Sequence, residues 1–484
     1  MASQTNIATA AMGLVALGCA QILGITDGES RADADASAGT GGADSGSGGD
    51  TSGGTGGASG TGASGGTGGQ AGLDGGLDAS DGGEEVTYND VQDATQWQTF
   101  VLTGIAGLSA GYQGGTFDGR YVYFSPSTSG GVLRYDTTAS FVNRASWLTF
   151  NVTTAYPNAI QYAGGAIFAA GHVQFVPYSN ATTEYGFTVA YDTAGAFDDA
   201  ASWTPMSLAT ANAGAAGYVG SAFDGQYVYY APFHRGTVPT LSAGVYHGLV
   251  ARYDSTATFG DATAWTFYNA ATGDPASLGF YGAVFANGYV YFVPYRKADG
   301  TANGTATRYN TAGAFDAATS WTAFDISTLN VAAKGFIGGV FDGRYVYFVP
   351  YHNGATHGLV ARYDTQSSFT TATSWSVFDT EQVDALAKGF STGAFDGRYV
   401  YLVPNNAGTS GTVVRFDTQA TFDDVASWTS FDLASLNASA KSFWGAVFDG
   451  EYVYLIPQTN DVVARFHART PRASAPPYNG GSFY

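Results

Sequence analysis

Four short sequence signatures recur in a fixed order along most of the chain, and this internal repeat limits the possible folds more than any other feature. The first is a run of small residues ending in Phe-Asp-Gly, and the second is close to Tyr-Val-Tyr-Phe-Val-Pro. The third is close to Val-Ala-Arg-Tyr-Asp, and the fourth contains Ser-Trp-Thr followed by Phe. Each occurs seven times, at spacings of about 50 to 62 residues. The tryptophans of the fourth signature are Trp97, Trp147, Trp203, Trp265, Trp321, Trp375 and Trp428.

Each repeat is typical of four antiparallel strands. Asp-Gly or Asn-Gly follows the first signature in six repeats, and such a doublet between two strands predicts a two-residue hairpin turn with positive φ. The second signature is apolar at both alternating positions, as in Tyr345 to Phe348, so this strand is expected to be buried on both faces. Blades stacked around an axis provide such burial. The sequence therefore predicts an all-β fold, a seven-bladed β-propeller with four antiparallel strands per blade.

The two ends of the repeat region indicate how the ring closes. The last repeat lacks a fourth signature, whereas the segment around Trp97 is a fourth signature without the other three before it. The N-terminal strand is therefore predicted to complete the last blade, which removes exposed strand edges. Over residues 88–467 the chain resembles seven-bladed propellers in architecture and is loosely similar to kelch repeats, without matching a specific enzyme family. We predict the propeller at residues 87–467 and a flexible tail at 468–484.

Residues 1–19 are typical of an export signal. The run from residue 7 to residue 18 is apolar or small, and it is too short to span a membrane as a helix. Val15–Cys19 resembles a bacterial lipobox, although its leucine lies one place later than usual and no Lys or Arg precedes the run. The resemblance implies a lipid on Cys19 and, in the Gram-negative family, an exported lipoprotein of the outer membrane or cell surface. A cleaved secretory peptide, which would give a periplasmic or secreted protein, is the alternative.

Residues 20–86 are predicted to be a disordered linker. From about residue 27 they are mainly Gly, Ser, Thr, Ala and Asp, so ordering them would bury almost no apolar surface.

The formal net charge of the chain is −20, and without a basic footprint no nucleic-acid partner is predicted. Cys19 is the only cysteine, so no intramolecular disulfide can form. We expect a monomer that meets the membrane only through a lipid on Cys19.

A candidate ligand site comes from the loops that propellers bring to one face. The loops between strands 2 and 3 share this face, which we call the top face, with the loops that enter strand 1. Lysines occupy one such position in blades 5 to 7, and cations occupy another in blades 3 to 5, beside aromatic residues near the axis. Cations beside aromatic rings favour an anionic glycan or another acidic ligand. The candidate residues are Lys334, Lys388, Lys441, His234, Arg296, His352, Tyr281 and Trp444.

Other charged residues have simpler interpretations. The three lysines also fit side chains that only extend from strand starts into water. Arg235, His247 and His357 lie further along the same loops and would add to a basic top face. His352 and His357 are five residues apart, but no metal site and no cofactor are predicted. Third-signature arginines recur in six repeats and are expected to form structural ion-paired rims: Arg134, Arg252, Arg308, Arg362, Arg415 and Arg465.

The sequence contains no motif that specifies a reaction. No Ser-His-Asp arrangement, phosphate-binding loop or zinc-ligand spacing stands out. We expect a binding or scaffold propeller, tethered to the cell surface, that recognises an anionic glycan or a protein at its top face. The alternative is a glycan-processing enzyme, a polysaccharide lyase or hydrolase, that acts at the same mouth.

Overall fold

The computed structural model describes residues 85–473, apart from residues 106–107, 109–110, 160–161, 163, 180–184 and 237–244. The predicted signal peptide, Cys19, nearly all of the predicted linker and most of the predicted tail therefore lie outside the described residues. Within the described part of the chain, no helix is long and apolar enough to cross a membrane.

The described chain forms seven four-stranded antiparallel sheets in a ring, which confirms the predicted seven-bladed β-propeller. The strand nearest the axis is strand 1 and the outermost is strand 4. From strand 1 to strand 4, blades 1 to 3 are Tyr112–Phe117, Tyr121–Pro126, Gly131–Asp136, Trp147–Asn151; Ala166–Ala169, His172–Phe175, Phe187–Asp192, Trp203–Ser207; and Tyr218–Phe223, Tyr227–Pro232, Leu249–Asp254, Trp265–Asn269. Blades 4 to 7 are Phe280–Ala286, Tyr289–Pro294, Thr305–Asn310, Trp321–Asp325; Phe336–Phe341, Tyr345–Pro350, Leu359–Asp364, Trp375–Asp379; Phe390–Phe395, Tyr399–Pro404, Thr412–Asp417, Trp428–Asp432; and Phe443–Phe448, Tyr452–Pro457, Val462–His467, Trp97–Val101.

Short 3-10 helices flank the outer strands. Those that precede strand 4 are Ala94–Gln96, Arg144–Ser146, Ala200–Ser202, Ala262–Ala264, Ala318–Ser320, Ala372–Ser374 and Val425–Ser427. Those that follow it are Val152–Thr154, Leu208–Thr210, Ala270–Thr272, Ile326–Thr328, Thr380–Gln382 and Leu433–Ser435. Another, Asn406–Gly408, lies in the top loop of blade 6, and a short hairpin in the top loop of blade 3 pairs His234–Arg235 with Val245–Tyr246.

The N-terminal strand closes the ring as predicted. Trp97–Val101 pairs antiparallel with Val462–His467 as the outer strand of blade 7. A second pairing, of Thr87–Tyr88 with Arg469–Thr470, lies beyond the predicted end of the propeller at residue 467. Arg472 also donates to the buried turn aspartate of blade 7 at 2.8 Å. The described contacts of the propeller thus continue into the segment that the sequence predicted as a tail.

The turn between strands 1 and 2 has two residues, but its register differs from the prediction in the Asp-Gly blades. In blade 5 the Asp342 N–H donates to the Tyr345 carbonyl at 3.2 Å, so the turn residues are Gly343, with φ of 100°, and Arg344. The Asp342 carboxylate accepts from the N–H groups of Arg344 and Tyr345 and from the Tyr347 hydroxyl at 2.6 Å. In blade 4 the Asn-Gly doublet itself forms the turn, with φ of 47° and 78°.

The seven tryptophans pack adjacent blades together. Trp428 of blade 6 donates its indole N–H to the Phe422 carbonyl at 2.9 Å and stacks on Phe378 of blade 5, with ring centroids 4.7 Å apart. Each of the seven indoles donates to the carbonyl six residues earlier in the same way. A buried, hydrogen-bonded ring repeated around the circle is a packing element.

The third-signature arginines are structural, but the predicted ion pairs are wrong for most of them. Arg362 of blade 5 lies between two rings, with its guanidinium carbon 4.2 Å from the Tyr345 centroid and 4.1 Å from that of Phe422 in blade 6. Among the described residues only one of the six, Arg415, forms an ion pair, with Asp90 at 3.5 Å. The neighbouring aspartates instead pair with turn arginines in three blades. Cation–π contacts therefore join the blades where ion pairs were expected.

Candidate functional site

The top face divides into two halves by the length of its loops. The loops between strands 2 and 3 span residues 233–248 in blade 3, 295–304 in blade 4 and 351–358 in blade 5. The loop of blade 2, between Phe175 and Phe187, is of similar length, that of blade 6 spans residues 405–411, and those of blades 1 and 7 span only residues 127–130 and 458–461. We call the loops of blades 3, 4 and 5 together the long-loop sector, because these three carry the candidate residues His234, Arg296 and His352. Because the blades beneath are nearly identical, these loops are where the ring acquires an individual surface.

Side-chain chemistry changes at the same blades. The residue directly after the proline of strand 2 or of the second signature is aromatic in blades 2 to 5 and polar in blades 6, 7 and 1. The aromatic members are Tyr178, Phe233, Tyr295 and Tyr351, and the polar members are Asn405, Gln458 and Ser127.

Aromatic rings from separate blades meet across the centre of the ring. Phe233 of blade 3 contacts Tyr281 of blade 4 with centroids 4.9 Å apart. Tyr281 in turn lies 6.2 Å from Trp444 of blade 7, and Trp444 lies 5.5 Å from Tyr351 of blade 5. The structure therefore brings the two predicted aromatic residues, Tyr281 and Trp444, together at the axis. Both are buried, at 3% and 1% exposure, so they form the floor beneath the top face and not its outer surface.

Arg296 and His352 lie on this floor in adjacent blades. Arg296 is 5% exposed, and its guanidinium stacks on the ring of Tyr295 with 4.2 Å between the guanidinium carbon and the centroid. One Nη donates to the Tyr295 hydroxyl at 2.8 Å and the other to the Gly300 carbonyl at 3.4 Å. His352 is half-buried, and burial together with the charge of Arg296 lowers its pKa. These two candidate residues are thus close enough to interact.

His234 belongs to the same surface through Tyr246. The two rings face each other across the short hairpin of blade 3, with centroids 4.8 Å apart, and both are partly exposed. Tyr246 also packs on the buried ring of Phe233, at 5.4 Å. The hairpin thus places two partly exposed rings directly above the aromatic floor.

The three candidate lysines do not form one cationic cluster in the described contacts. The Lys388 ammonium pairs with Glu381 at 2.6 Å within its own loop. The main-chain carbonyl of Lys334 accepts from His357, and that of Lys441 accepts from Asn460. Each lysine thus occupies the same backbone position in its blade, and the positive charge of Lys388 is offset locally.

Two further histidines of the predicted basic face, His247 and His357, are buried, and the His357 side chain connects two loops. Nδ1 of His357 accepts from the Leu359 N–H, which leaves the ring proton on Nε2 to donate to the Lys334 carbonyl at 3.0 Å. Burial lowers the pKa of His357 to about 4 and, with the nearby charge of Arg235, that of His247 to about 3. Both are neutral at pH 7, so neither adds positive charge to the top face. Arg235 itself donates to the Gly214 carbonyl at 3.1 Å.

The opposite half of the mouth is a network of neutral polar groups. Asn405 donates to the Gln458 side-chain carbonyl at 3.1 Å and to the Phe443 carbonyl at 3.2 Å. The Ser442 hydroxyl donates to the same Gln458 oxygen at 3.4 Å. Asn405 and Gln458 are 1% and 8% exposed. The mouth in this half is therefore closed by hydrogen bonds among uncharged side chains.

The structure adds residues that the sequence interpretation missed. Tyr246, Tyr295 and Phe233 connect His234, Arg296 and Tyr281, yet none was among the candidates. A signal existed, because aromatic residues follow the proline only in blades 2 to 5. Within the described part of the chain, no group of three or more His, Cys, Asp or Glu side chains is placed to hold a metal ion.

Comparison with known proteins supports the architecture. The fold is similar to that of virginiamycin B lyase from Staphylococcus aureus, at 12% identity and a TM-score of 0.50, over 77% of this chain and 98% of that chain. A catalytically inactive variant of that lyase with quinupristin gives 13% identity over the same shares, also at 0.50. YCF48 bound to D1 peptide is 12% identical, with a TM-score of 0.46, over 77% of this chain and 97% of that one.

At these identities the similarities establish the fold alone. No protein-family model matches the sequence, and no curated protein matches it. Fold and site together define a seven-bladed β-propeller whose top face departs from the repeat in the long-loop sector.

Proposed function

We propose that this chain is a ligand-binding propeller displayed at a bacterial cell surface, and that its ligand binds the long-loop sector. The observation that carries the proposal is a coincidence of three departures from the repeat in the same blades. Long loops and the aromatic residue after the proline occur in blades 2 to 5, and in blades 3 to 5 they coincide with the basic residues His234, Arg296 and His352. What recurs in every blade supports the fold, so a surface that departs from the repeat in three ways is the best candidate for recognition.

The described parts of the long-loop sector carry internal backbone pairing. They include the pairing of His234–Arg235 with Val245–Tyr246 and the bridges from Arg296 to Ala302 and from His352 to Thr356. The aromatic floor beneath them is buried. Backbone that is already paired loses less conformational entropy when a ligand binds, which favours a binding role.

A tether from the membrane is part of the proposal. The lipobox-like Val15–Cys19 would supply a lipid, and a Gly-rich linker of about 60 residues has a root-mean-square reach of about 40 Å. This reach would hold the propeller beyond the membrane surface. Replacing Cys19 with Ala should release the protein from the membrane fraction of the cells. Continued partition of Cys19→Ala to the membrane would contradict a lipid anchor.

The binding role is tested with a panel of soluble polysaccharides. In affinity electrophoresis, at least one polymer in the gel should slow the migration of the full-length protein. Tyr246→Ala should reduce this slowing. Tyr399→Ala, which changes the same residue type on the opposite face of blade 6, is the matched control and should bind normally. If both variants bound the polymer as tightly as wild type, the long-loop sector would not be the binding site.

The same incubation separates binding from catalysis. A binding propeller leaves the chain length of the bound polymer unchanged over hours. Time-dependent shortening of the polymer, or new unsaturated sugar ends absorbing in the ultraviolet, would instead establish a glycan-processing enzyme.

A further inference from the structure

Arg296 is a buried positive charge without a negative partner. Only 5% of the residue is exposed, and its Nε is buried without a hydrogen-bond partner. Its two Nη atoms donate to neutral oxygens, those of Tyr295 and Gly300. Among the described residues no Asp or Glu forms an ion pair with it. A buried charge is costly unless it is paired, so an anion at this position would stabilise the protein.

This arginine is also not part of the repeat. The equivalent position, two residues after the proline, carries Thr, Ser, His, His, Asn and Thr in the other six blades. The repeated arginines, such as Arg308 of the same blade, lie between rings of adjacent blades, with Arg308 4.1 Å from the Tyr289 centroid and 4.6 Å from that of Phe369. A packing role that the ring repeats therefore accounts for Arg308 and not for Arg296.

The acidic residue closest in sequence is already engaged elsewhere. Asp299, at the exposed tip of the same loop, accepts from the Thr301 N–H at 2.9 Å and from its hydroxyl at 2.6 Å. These bonds shape the loop tip, which the Lys297 N–H closes by donating to the Thr301 carbonyl at 2.8 Å. The loop thus places the exposed Lys297, whose charge also acts on Asp299, next to the buried Arg296.

A partly exposed aromatic ring lies beside the arginine. Gly300, whose carbonyl accepts from Arg296, lies so close to Tyr246 that an added Cβ would be 3.6 Å from the Tyr246 Cε2 atom. Tyr246 and Arg296 therefore border the same glycine from two blades. Tyr246 and its neighbour His234 are the partly exposed rings of this surface, whereas Tyr295 is fully buried.

We propose that Arg296 holds the oxyanion of an acidic sugar residue, whose ring packs on Tyr246. This inference rests on the proposed binding function and names the chemistry of its ligand. A guanidinium fork matches a planar carboxylate or a sulfate through two parallel hydrogen bonds. The exposed Lys297 follows Arg296 in the chain, and the half-buried His352 is close enough to feel its charge. A sugar adds what a bare anion lacks, an apolar ring face that fits against an aromatic side chain.

The test measures binding of the full-length protein to three polymers by affinity electrophoresis or biolayer interferometry. Polygalacturonate carries only carboxylates, dextran sulfate carries only sulfates and dextran is neutral, so the three distinguish the two oxyanions from the uncharged sugar. We expect binding to at least one of the two acidic polymers and none to dextran. Arg296→Gln should weaken that binding at least tenfold, as expected for the loss of a charge-assisted hydrogen-bond pair.

Matched variants separate a specific site from general charge. Arg144→Gln makes the same change in net charge at an exposed arginine of blade 1, outside the long-loop sector, where Arg144 donates to the Thr103 carbonyl, and should bind within twofold of wild type. Arg296→Lys keeps the charge without the fork and should bind less tightly than wild type. It also serves as the second variant if circular dichroism shows that Arg296→Gln does not fold.

The outcomes distinguish this inference from the proposed function. Acidic polymers bound equally by wild type and the Arg296 variants would overturn the oxyanion site, and the binding role would stand if Tyr246→Ala still weakened binding. Wild-type binding to dextran alone would also overturn the oxyanion site but keep the binding role. No binding of any of the three polymers by wild type would overturn the acidic-sugar inference, while the wider polysaccharide panel decides the binding role.

Discussion

The two halves of the top face differ although the blades beneath them repeat. In blades 3 to 5 the mouth is lined by buried aromatic rings, covered by longer loops and supplied with the basic residues His234, Arg296 and His352. In blades 6, 7 and 1 the same axial positions carry Asn405, Gln458 and Ser127 under shorter loops, and amide groups satisfy one another. The comparison shows that a ring of similar blades can still present one distinct surface. The sequence differences that create it are confined to the loops and to the position after the proline of strand 2.

The aromatic half should contribute more to stability than the polar half. Phe233→Ala removes a fully buried ring that contacts five others, and should lower the free energy of unfolding by about 3–5 kcal/mol because of lost burial and the cavity left behind. Asn405→Ala is the counterpart in the polar half and should cost about 1–3 kcal/mol, since it leaves buried acceptors unpaired. Urea unfolding measures both. A larger loss for Asn405→Ala would reverse the comparison.

Acid should weaken the long-loop sector through its buried histidines. The folded pKa of His357 is lowered by burial from 6.5 to about 4, so below pH 6.5 the unfolded chain binds a proton that the folded chain excludes. Stability therefore falls as the pH drops from 6.5 to about 4, by on the order of 3 kcal/mol for this residue.

The matched variant is His357→Asn, because asparagines already occupy this position in blades 4 and 7. Asn303 and Asn460 donate there to main-chain carbonyls, as His357 does in blade 5. The variant should match wild type at pH 7 and lose less stability than wild type by pH 4, in urea unfolding at both values. An equal loss of stability in the two proteins would contradict the buried-histidine account.

The residue before strand 1 distinguishes blade 3 from blade 7 at the level of the backbone. Gly217 has φ of 70°, and an added Cβ would lie 1.8 Å from the His234 carbonyl oxygen. Gly217→Ala should therefore cost about 2 kcal/mol or more, from strain and displacement of the His234 loop. Blade 7 already carries Ser442 there at φ of 61°, so Ser442→Gly should change stability by less than about 1 kcal/mol. Thermal unfolding that ranks the two variants in the reverse order would break this distinction.

The lysines are expected to have the smallest effect. The half-exposed pair of Lys388 with Glu381 should contribute less than about 1 kcal/mol, with a still smaller contribution in high salt. Replacing Lys334, Lys388 and Lys441 together with alanine should leave folding intact and reduce only the salt-sensitive part of binding to an acidic polymer. Unchanged binding of this triple variant at low salt would remove the lysines from the site.

The fold could be predicted because its signals are local and repeated. The strand patterns and the tryptophans lie within each unit, and the missing fourth signature indicated the closing strand. The contact of Tyr281 with Trp444 required the ring itself, since 163 positions and three blades separate them in the chain.

Errors arose where local charge patterns competed with packing. Arg362 and Asp364 lie two positions apart and suggested an ion pair, yet Asp364 pairs with Arg344 at 2.7 Å and Arg362 enters a gap between two rings. The sequence suggested that His357 is a cation on the surface. The fold instead buries it in its neutral form, hydrogen-bonded to the Lys334 carbonyl. Whether a charged residue is exposed or enclosed by the next blade depends on contacts that a single repeat does not contain.

Hydrogen–deuterium exchange of the full-length protein, with and without the polysaccharide that it retains, tests the binding surface most directly. We predict that bound ligand slows exchange in residues 233–248, 295–304 and 351–358 and leaves residues 127–130 and 458–461 unchanged. Slower exchange confined to the short loops or to the opposite face, with none in the long-loop sector, would contradict the account.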